Sequence, residues 1–381
     1  MKIAFNGDLL LKPNKTGIAW NAHNLLMELV KYPEHDWMIQ CFHRSVDDRP
    51  DLYRQAGFQT QCCRQMGDSM YKLLQMIVPL PYSFFFSGQP DITQFFNFVI
   101  PPGVKGKRVV WIHDLAYQSC PDTVRRKTRL WLKMNMKRTC LRADHILTVS
   151  NFSKREIMRH LHVQKDKISV IPNAVDHSVY HTNYDTKQIR TARKTYGIEK
   201  DYFLYLGTIE PRKNLIRLID AYEILCRKRK SVPQLVLAGG EGWMCGNIYK
   251  KVHRSAFRKK IIFTGYVNQK DSPALMCGAK AFLFPSLYEG FGMPPLEAMA
   301  CGTPVITSAT TSLPEVVGNA GIKVNPECVE EISKAMLRIL DDPDCREKLI
   351  TRGLQRAANY TWGKSAALLL EVYRNLMQDE V

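Results

Sequence analysis

Phe284-Pro285-Ser286-Leu287-Tyr288-Glu289-Gly290-Phe291-Gly292-Met293-Pro294-Pro295-Leu296-Glu297 runs from the end of an apolar stretch, through a glycine-rich turn, into paired prolines. Ala281 to Phe284 has the length and bulk of a buried strand. Two prolines suit the first turn of a helix, where backbone N–H groups need no intrahelical partner. Strand, turn and helix in that order predict a βα unit, with Glu289 in the loop and Glu297 in the first turns of the helix. Gly290 and Gly292 let the main chain approach a ligand, and the free N–H groups of the helix start suit a phosphate. Carboxylates on either side of that phosphate suit hydroxyls, a sugar hydroxyl for Glu289 and a ribose hydroxyl for Glu297.

Working outward, the same rhythm recurs. Short apolar runs alternate with helical patterns at Lys2 to Phe5, Val109 to Ile112, Ile146 to Val149 and Ile168 to Ile171, then at Phe203 to Leu206, Leu235 to Ala238, Ile261 to Phe263 and Pro304 to Thr307. This predicts an α/β chain with two parallel, doubly wound sheets, and 381 residues are too many for one ordinary core. Strand patterning lapses between Pro172 and Lys200, which is read as the linker. The expected domains are 1–180 and 181–361, followed by an amphipathic terminal helix over 362–381.

A second junction, Tyr205-Leu206-Gly207-Thr208-Ile209-Glu210-Pro211-Arg212-Lys213-Asn214, again follows a strand end, where open α/β sheets hold ligands. Arg212 offers a planar fork to phosphate oxygens, and Lys213 a compact charge that can meet a departing anion. In the first half, Val109-Val110-Trp111-Ile112-His113-Asp114 delivers a histidine at a strand end, and Gly17 opens a helix where backbone can meet phosphate or acceptor. Asn151 and Ser153 are helix-capping types. Asp342-Pro343-Asp344 reads as a helix terminus and not as a metal motif. Cys301 has no histidine nearby and reads as a small core residue.

A formal charge of +18 sets up a field that attracts anions, nucleic acid or an acidic membrane. From Arg125 to Arg142 there are eight Lys or Arg and no acid, with Leu130, Trp131, Met134 and Leu141 interleaved. Two readings stand: a helix lying on anionic lipid, or one whose apolar stripe packs on the first sheet. Ile77 to Phe86 is open to the same pair of readings, lipid- or acceptor-facing loop against burial. Eleven cysteines without a Cys-x-x-Cys pair argue against a disulfide framework or zinc site, and the apolar run after Met1 is too brief for a signal peptide, so a cytoplasmic protein is expected.

Gly207 to Asn214, Ala238-Gly239-Gly240, Thr264-Gly265-Tyr266 and the Glu-x7-Glu segment closely resemble the retaining glycosyltransferases of family 4, including mannosyl- and rhamnosyl-transferring members, over nearly the whole chain. The resemblance implies a GT-B fold of two facing Rossmann-like domains with the last helix crossing back to the first. It implies a retaining hexosyltransferase that needs no metal and no cofactor, taking a GDP- or UDP-linked sugar to a glycan or lipid-linked acceptor of surface polysaccharide synthesis. It places Glu289 on the donor sugar beneath His113, Glu297 on the ribose, and Arg212 with Lys213 on the diphosphate. Phe291, Gly292 and Met293 line the sugar-phosphate pocket, with Gly290, Gly207, Thr208, Tyr266 and Gly17 as further donor contacts. Thr208 stands where many relatives carry arginine, and Arg212 is expected to supply that charge. The rivals are a nucleotide-sugar epimerase or a glycogen- or starch-type synthase on a related scaffold, and a non-catalytic basic scaffold for membrane or nucleic acid. Nucleic acid is not an expected partner, whereas peripheral contact with an anionic membrane, at the inner face of the plasma membrane, is.

Overall fold

The computed structural model describes residues 1–12, 17–44, 49–75, 78 and 80–378. The chain forms two compact units. The first holds Met1–Leu115, Lys127–Ala174 and the chain from Trp362 onward; the second holds Ala116–Arg126 and Val175–Thr361.

In the first unit, β1 (Lys2–Asn6), β2 (Asp36–Phe42), β3 (Gln59–Cys63), β4 (Ile92–Phe95), β5 (Lys107–Trp111), β6 (His145–Thr148) and β7 (Ile168–Val170) form one sheet in the order β3-β2-β1-β4-β5-β6-β7. Every pairing is parallel; Ile3 lies opposite both Trp37 and Ile92. In the second, β8 (Tyr202–Leu206), β9 (Gln234–Ala238), β10 (Ile261–Gly265), β11 (Ala281–Phe284), β12 (Val305–Ser308) and β13 (Gly321–Val324) follow the order β10-β9-β8-β11-β12-β13. Each sheet therefore has a switch point where strand order reverses, between β1 and β4 and between β8 and β11. The central strands are buried on both faces, which is why they read as continuous apolar runs and not as alternating ones.

Four strands escaped the sequence pattern. β3 is Gln-Thr-Gln-Cys-Cys at a sheet edge, β4 is the four residues Ile-Thr-Gln-Phe, and β2 and β13 mix polar with apolar positions. The stretch read as a linker also contains a helix, Thr186–Thr195. Asp185 and Gln188 cap it reciprocally, and Ala192 is its one buried residue, so its polarity hid it.

The terminal helix, Trp362–Gln378, packs on the helix Gly17–Leu29, and the Tyr373 hydroxyl donates to Gln94 Oε1 at 2.6 Å. The basic helix spans Arg126–Arg142. It buries Leu132, Met136, Thr139 and Cys140; of the four apolar residues open to either reading, Leu130, Met134 and Leu141 are exposed and Trp131 is half-buried. In the 77–86 segment Tyr82 and Phe86 are buried and Phe84 is exposed; Ile77 and Pro79 lie outside the described residues. Ser150, not Asn151, caps the helix Asn151–Leu161, accepting from the Ser153 N–H at 3.0 Å. Asp342 caps Pro343–Ala358 by accepting from the Cys345 N–H, and Cys301 is buried. All eleven cysteines are free, and among the described residues no helix is long and apolar enough to cross a membrane.

Candidate active site

The loops after β8 and β11 meet at the second sheet's switch point, where ligands of open α/β sheets sit. The Leu287 N–H donates to the Arg212 carbonyl at 2.9 Å and stitches them together. Asn214, in the left-handed region at φ 61°, donates its side-chain amide to the carbonyls of Pro285 and Pro326. At the end of β9, Gly239, at φ +142°, runs so close to Gly207 that a Cβ would stand 1.9 Å from the Gly207 carbonyl oxygen.

Arg212, Lys213 and Glu289 come together there. Lys213 Nζ donates to Glu289 Oε1 at 2.6 Å, and Arg212 Nη1 donates to Glu289 Oε2 at 2.9 Å and to the Tyr288 carbonyl at 2.8 Å. Arg212 Nη2 donates to Glu210 Oε1 at 2.7 Å, and Glu210 is 1% exposed. Burial alone would lift the Glu289 carboxyl, but the charges of Arg212 and Lys213 outweigh it and hold the group at about 2, fully ionised. Burial, reinforced by Arg212, lowers the Lys213 ammonium against the pull of Glu289. The ammonium also lies 4.8 Å from the centre of the Phe284 ring.

Ser312 fixes the turn that carries Glu289: its hydroxyl lies 2.9 Å from the carbonyls of both Glu289 and Phe291. Ser312-Leu313-Pro314-Glu315 has the spacing of a capping box, yet no cap bond forms there. Gly292, at φ +102°, precedes the helix Met293–Ala300, and a Cβ there would meet Leu313 at 2.5 Å. Glu297 lies in that helix, apart from the charge cluster, with the Tyr180 hydroxyl as its hydrogen-bond partner. Burial raises its carboxyl to about 7, against the Tyr180 bond. Gly290 and Phe291 occupy the connecting turn and Met293 opens the helix; Thr208 and Tyr266 are exposed beyond β8 and β10.

His113 and Gly17 belong to the first unit. His113 is buried, stacked 5.8 Å from Trp111, with Nε2 2.8 Å from the Phe96 carbonyl. A carbonyl only accepts, so Nε2 carries the proton and Nδ1 is left as the acceptor. Burial lowers this imidazole to about 4, offset in part by the Phe96 bond, so it is neutral near pH 7. The Ser153 hydroxyl donates to the His113 carbonyl at 3.1 Å. Gly17 opens its helix, exposed, and residues 13–16 before it lie outside the described residues.

Sequence reasoning gave no role to Glu210, Asn214, Ser312 or Tyr180. The first two stood in the quoted motif, and Ser312 carried a capping signal; Tyr180 had none.

Residues 188–356 match the family of group 1 glycosyl transferases, and residues 80–179 match glycosyltransferase family 4. O-antigen chain mannosyltransferase B of Escherichia coli is 35% identical over 74% of this chain and 73% of its own. The chain belongs to the group 1 glycosyltransferases. A serotype-specific mannosyltransferase of the same organism, WbdA, is 33% identical over 62% of this glycosyltransferase but only 29% of its own length. Among solved structures, Anabaena Alr3699/HepE in complex with UDP and glucose aligns with 98% of this chain and 100% of its own, at a TM-score of 0.73 and 17% identity. That likeness places this glycosyltransferase in the GT-B fold, with two Rossmann-like, parallel-sheet units.

Proposed function

We propose that this glycosyltransferase moves a hexose, with mannose the first candidate, from a GDP- or UDP-linked donor to a glycan or lipid-linked acceptor of surface polysaccharide, retaining anomeric configuration and needing no metal. The observation that carries this is the Arg212–Glu289–Lys213 cluster at a sheet switch point. The names of the mannosyltransferase relatives support the choice of sugar. The diphosphate meets Lys213 and Arg212; Lys213 has three N–H donors and uses one on Glu289. Glu289 takes a donor-sugar hydroxyl, and Glu297 takes the ribose hydroxyls that its half-titrated carboxyl lacks.

The anomeric C–O bond to the β-phosphate breaks, the acceptor oxygen bonds the same face of that carbon, and the acceptor proton passes to the departing phosphate. Lys213 and Arg212 stabilise the negative charge that builds on the leaving oxygen. His113, with Nδ1 as acceptor, takes a sugar hydroxyl. The enzyme works in the cytoplasm, at the inner face of the membrane, where the basic helix meets anionic lipid.

The test is incubation with GDP-mannose, UDP-glucose and dTDP-rhamnose, with product separation and anomeric assignment by NMR. Transfer from one donor with retained configuration is expected. Full activity in chelator is expected as well. An inverted product, or undiminished turnover in both Lys213→Ala and Glu289→Ala, overturns the assignment.

A further inference from the structure

The first unit holds a cavity of about 250 Å³ that the transfer chemistry leaves unused. It opens at the switch point of its sheet, where β1 ends in Asn6 and β4 in Phe95, under the basic helix. Aromatic side chains form one wall: Tyr82 is buried, Trp131 half-buried, and Phe42 stacks on Tyr71 at 4.3 Å. Polar groups stand beside them. Asn6 Nδ2 donates to Asp8 Oδ2 at 2.8 Å, and the Phe42 N–H donates to Asp8 Oδ1 at 2.6 Å. The buried Tyr82 hydroxyl faces the same pocket, with the Asn6 amide as its hydrogen-bonding neighbour.

The rim is cationic. Arg138 and Arg142 stand one turn apart on the basic helix, and among the described residues no carboxylate pairs with either. Arg142 Nη1 donates to the Ile100 carbonyl at 2.9 Å, and its guanidinium is lowered by burial and by Arg138. Lys72 is also at the rim but is paired with Asp68. The two helices that flank the opening carry Met70, Leu73, Leu130, Met134 and Leu141, all exposed.

Each part selects a chemistry. Aromatic faces cover the C–H side of a pyranose, while a carboxyl, a carboxamide and a phenol hydroxyl suit its hydroxyl groups. Arginines without a counter-charge suit phosphate. Exposed apolar side chains among lysines and arginines suit an anionic lipid surface.

We propose that this pocket seats the phosphorylated saccharide head of a lipid-linked acceptor, with the sugar ring between the aromatic wall and Asn6–Asp8 and the phosphate on Arg138 and Arg142. The proposal rests on the transfer function above for its acceptor class, but its test does not need turnover. Calorimetry of the full chain uses mannose and N-acetylglucosamine, each linked through diphosphate to farnesol. At least one should bind, and Arg138→Glu, an exposed change that spares the fold, should weaken it about tenfold or more, as should Arg142→Gln. GDP and UDP binding should be unchanged in both variants.

Undiminished probe binding in variants that melt like the parent, or no binding of either probe to the parent, overturns the pocket assignment. Mannose 1-phosphate and N-acetylglucosamine 1-phosphate, which lack the chain, should bind about tenfold more weakly than their farnesyl counterparts. Equal affinity overturns the lipid source. A parent that binds the probes but no nucleotide supports the pocket and counts against the transfer function instead.

Discussion

The two switch points occupy the same place in their sheets and solve opposite problems. Between β8 and β11, charges are buried against each other, with Arg212 and Lys213 both on Glu289 and Arg212 also on Glu210. Between β1 and β4, the walls are aromatic and the arginines lack carboxylates among the described residues. A self-neutralised cluster holds its geometry before a ligand arrives, at the cost of making every member hard to remove. An open cationic rim tolerates change and waits for its counter-charge from outside. One topology thus supports a rigid, internally paired charge cluster and an open cationic rim.

The sharpest way to break this contrast is by activity. Lys213→Ala or Glu289→Ala should lower turnover about 100- to 1,000-fold, measured as sugar transfer at saturating donor. Stability separates the two regions next. Deleting Glu289 leaves two buried cations short of a partner and should cost about 3–5 kcal/mol by urea denaturation, whereas Arg138→Ala should leave the midpoint where it was. The double variant Lys213→Met/Glu289→Gln should be more stable than Glu289→Ala alone, since a buried charge does more harm unpaired than absent.

Acidity tests the same cluster. Glu289 falls from the ordinary 4.5 to about 2, so its contribution is complete above about 4.5 and is lost as pH falls through about 2. Glu297, raised to about 7, contributes below about 4.5 and loses that contribution as pH rises through about 7. Urea midpoints against pH should therefore flatten at the acid end in Glu289→Gln and near neutrality in Glu297→Gln. The smallest loss expected belongs to the first unit: Ser150→Ala removes one cap bond and should cost about 1 kcal/mol, read as a modest shift in thermal midpoint.

What was legible in the sequence follows from the same physics. Strands buried on both faces announce themselves, so β5, β8, β9 and β11 could be read directly, and the glycine-proline frame around Glu289 marked the turn from β11 into its helix. Edge and mixed strands such as β3 and β13 carry no such run. The polar helix Thr186–Thr195 looked like linker because one buried alanine gives no period. Within the cluster, residue types implied a grip on phosphate, but not that Glu289 would itself sit between both cations. That pairing depends on two loops 76 residues apart in sequence being stitched at Leu287. The exposure of Leu130, Met134 and Leu141 was equally invisible, since a helix with apolar residues on two faces does not declare which one is covered.

The return of Trp362–Gln378 to the first unit has a consequence for biogenesis. During synthesis the early sheet emerges first, yet its Gln94 amide oxygen and the flank of Gly17–Leu29 stay uncovered until the last helix leaves the ribosome. The second unit, whose strands all lie between, can close before that. Maturation therefore runs out of chain order, and loss of Trp362–Gln378 would injure the half that was translated first.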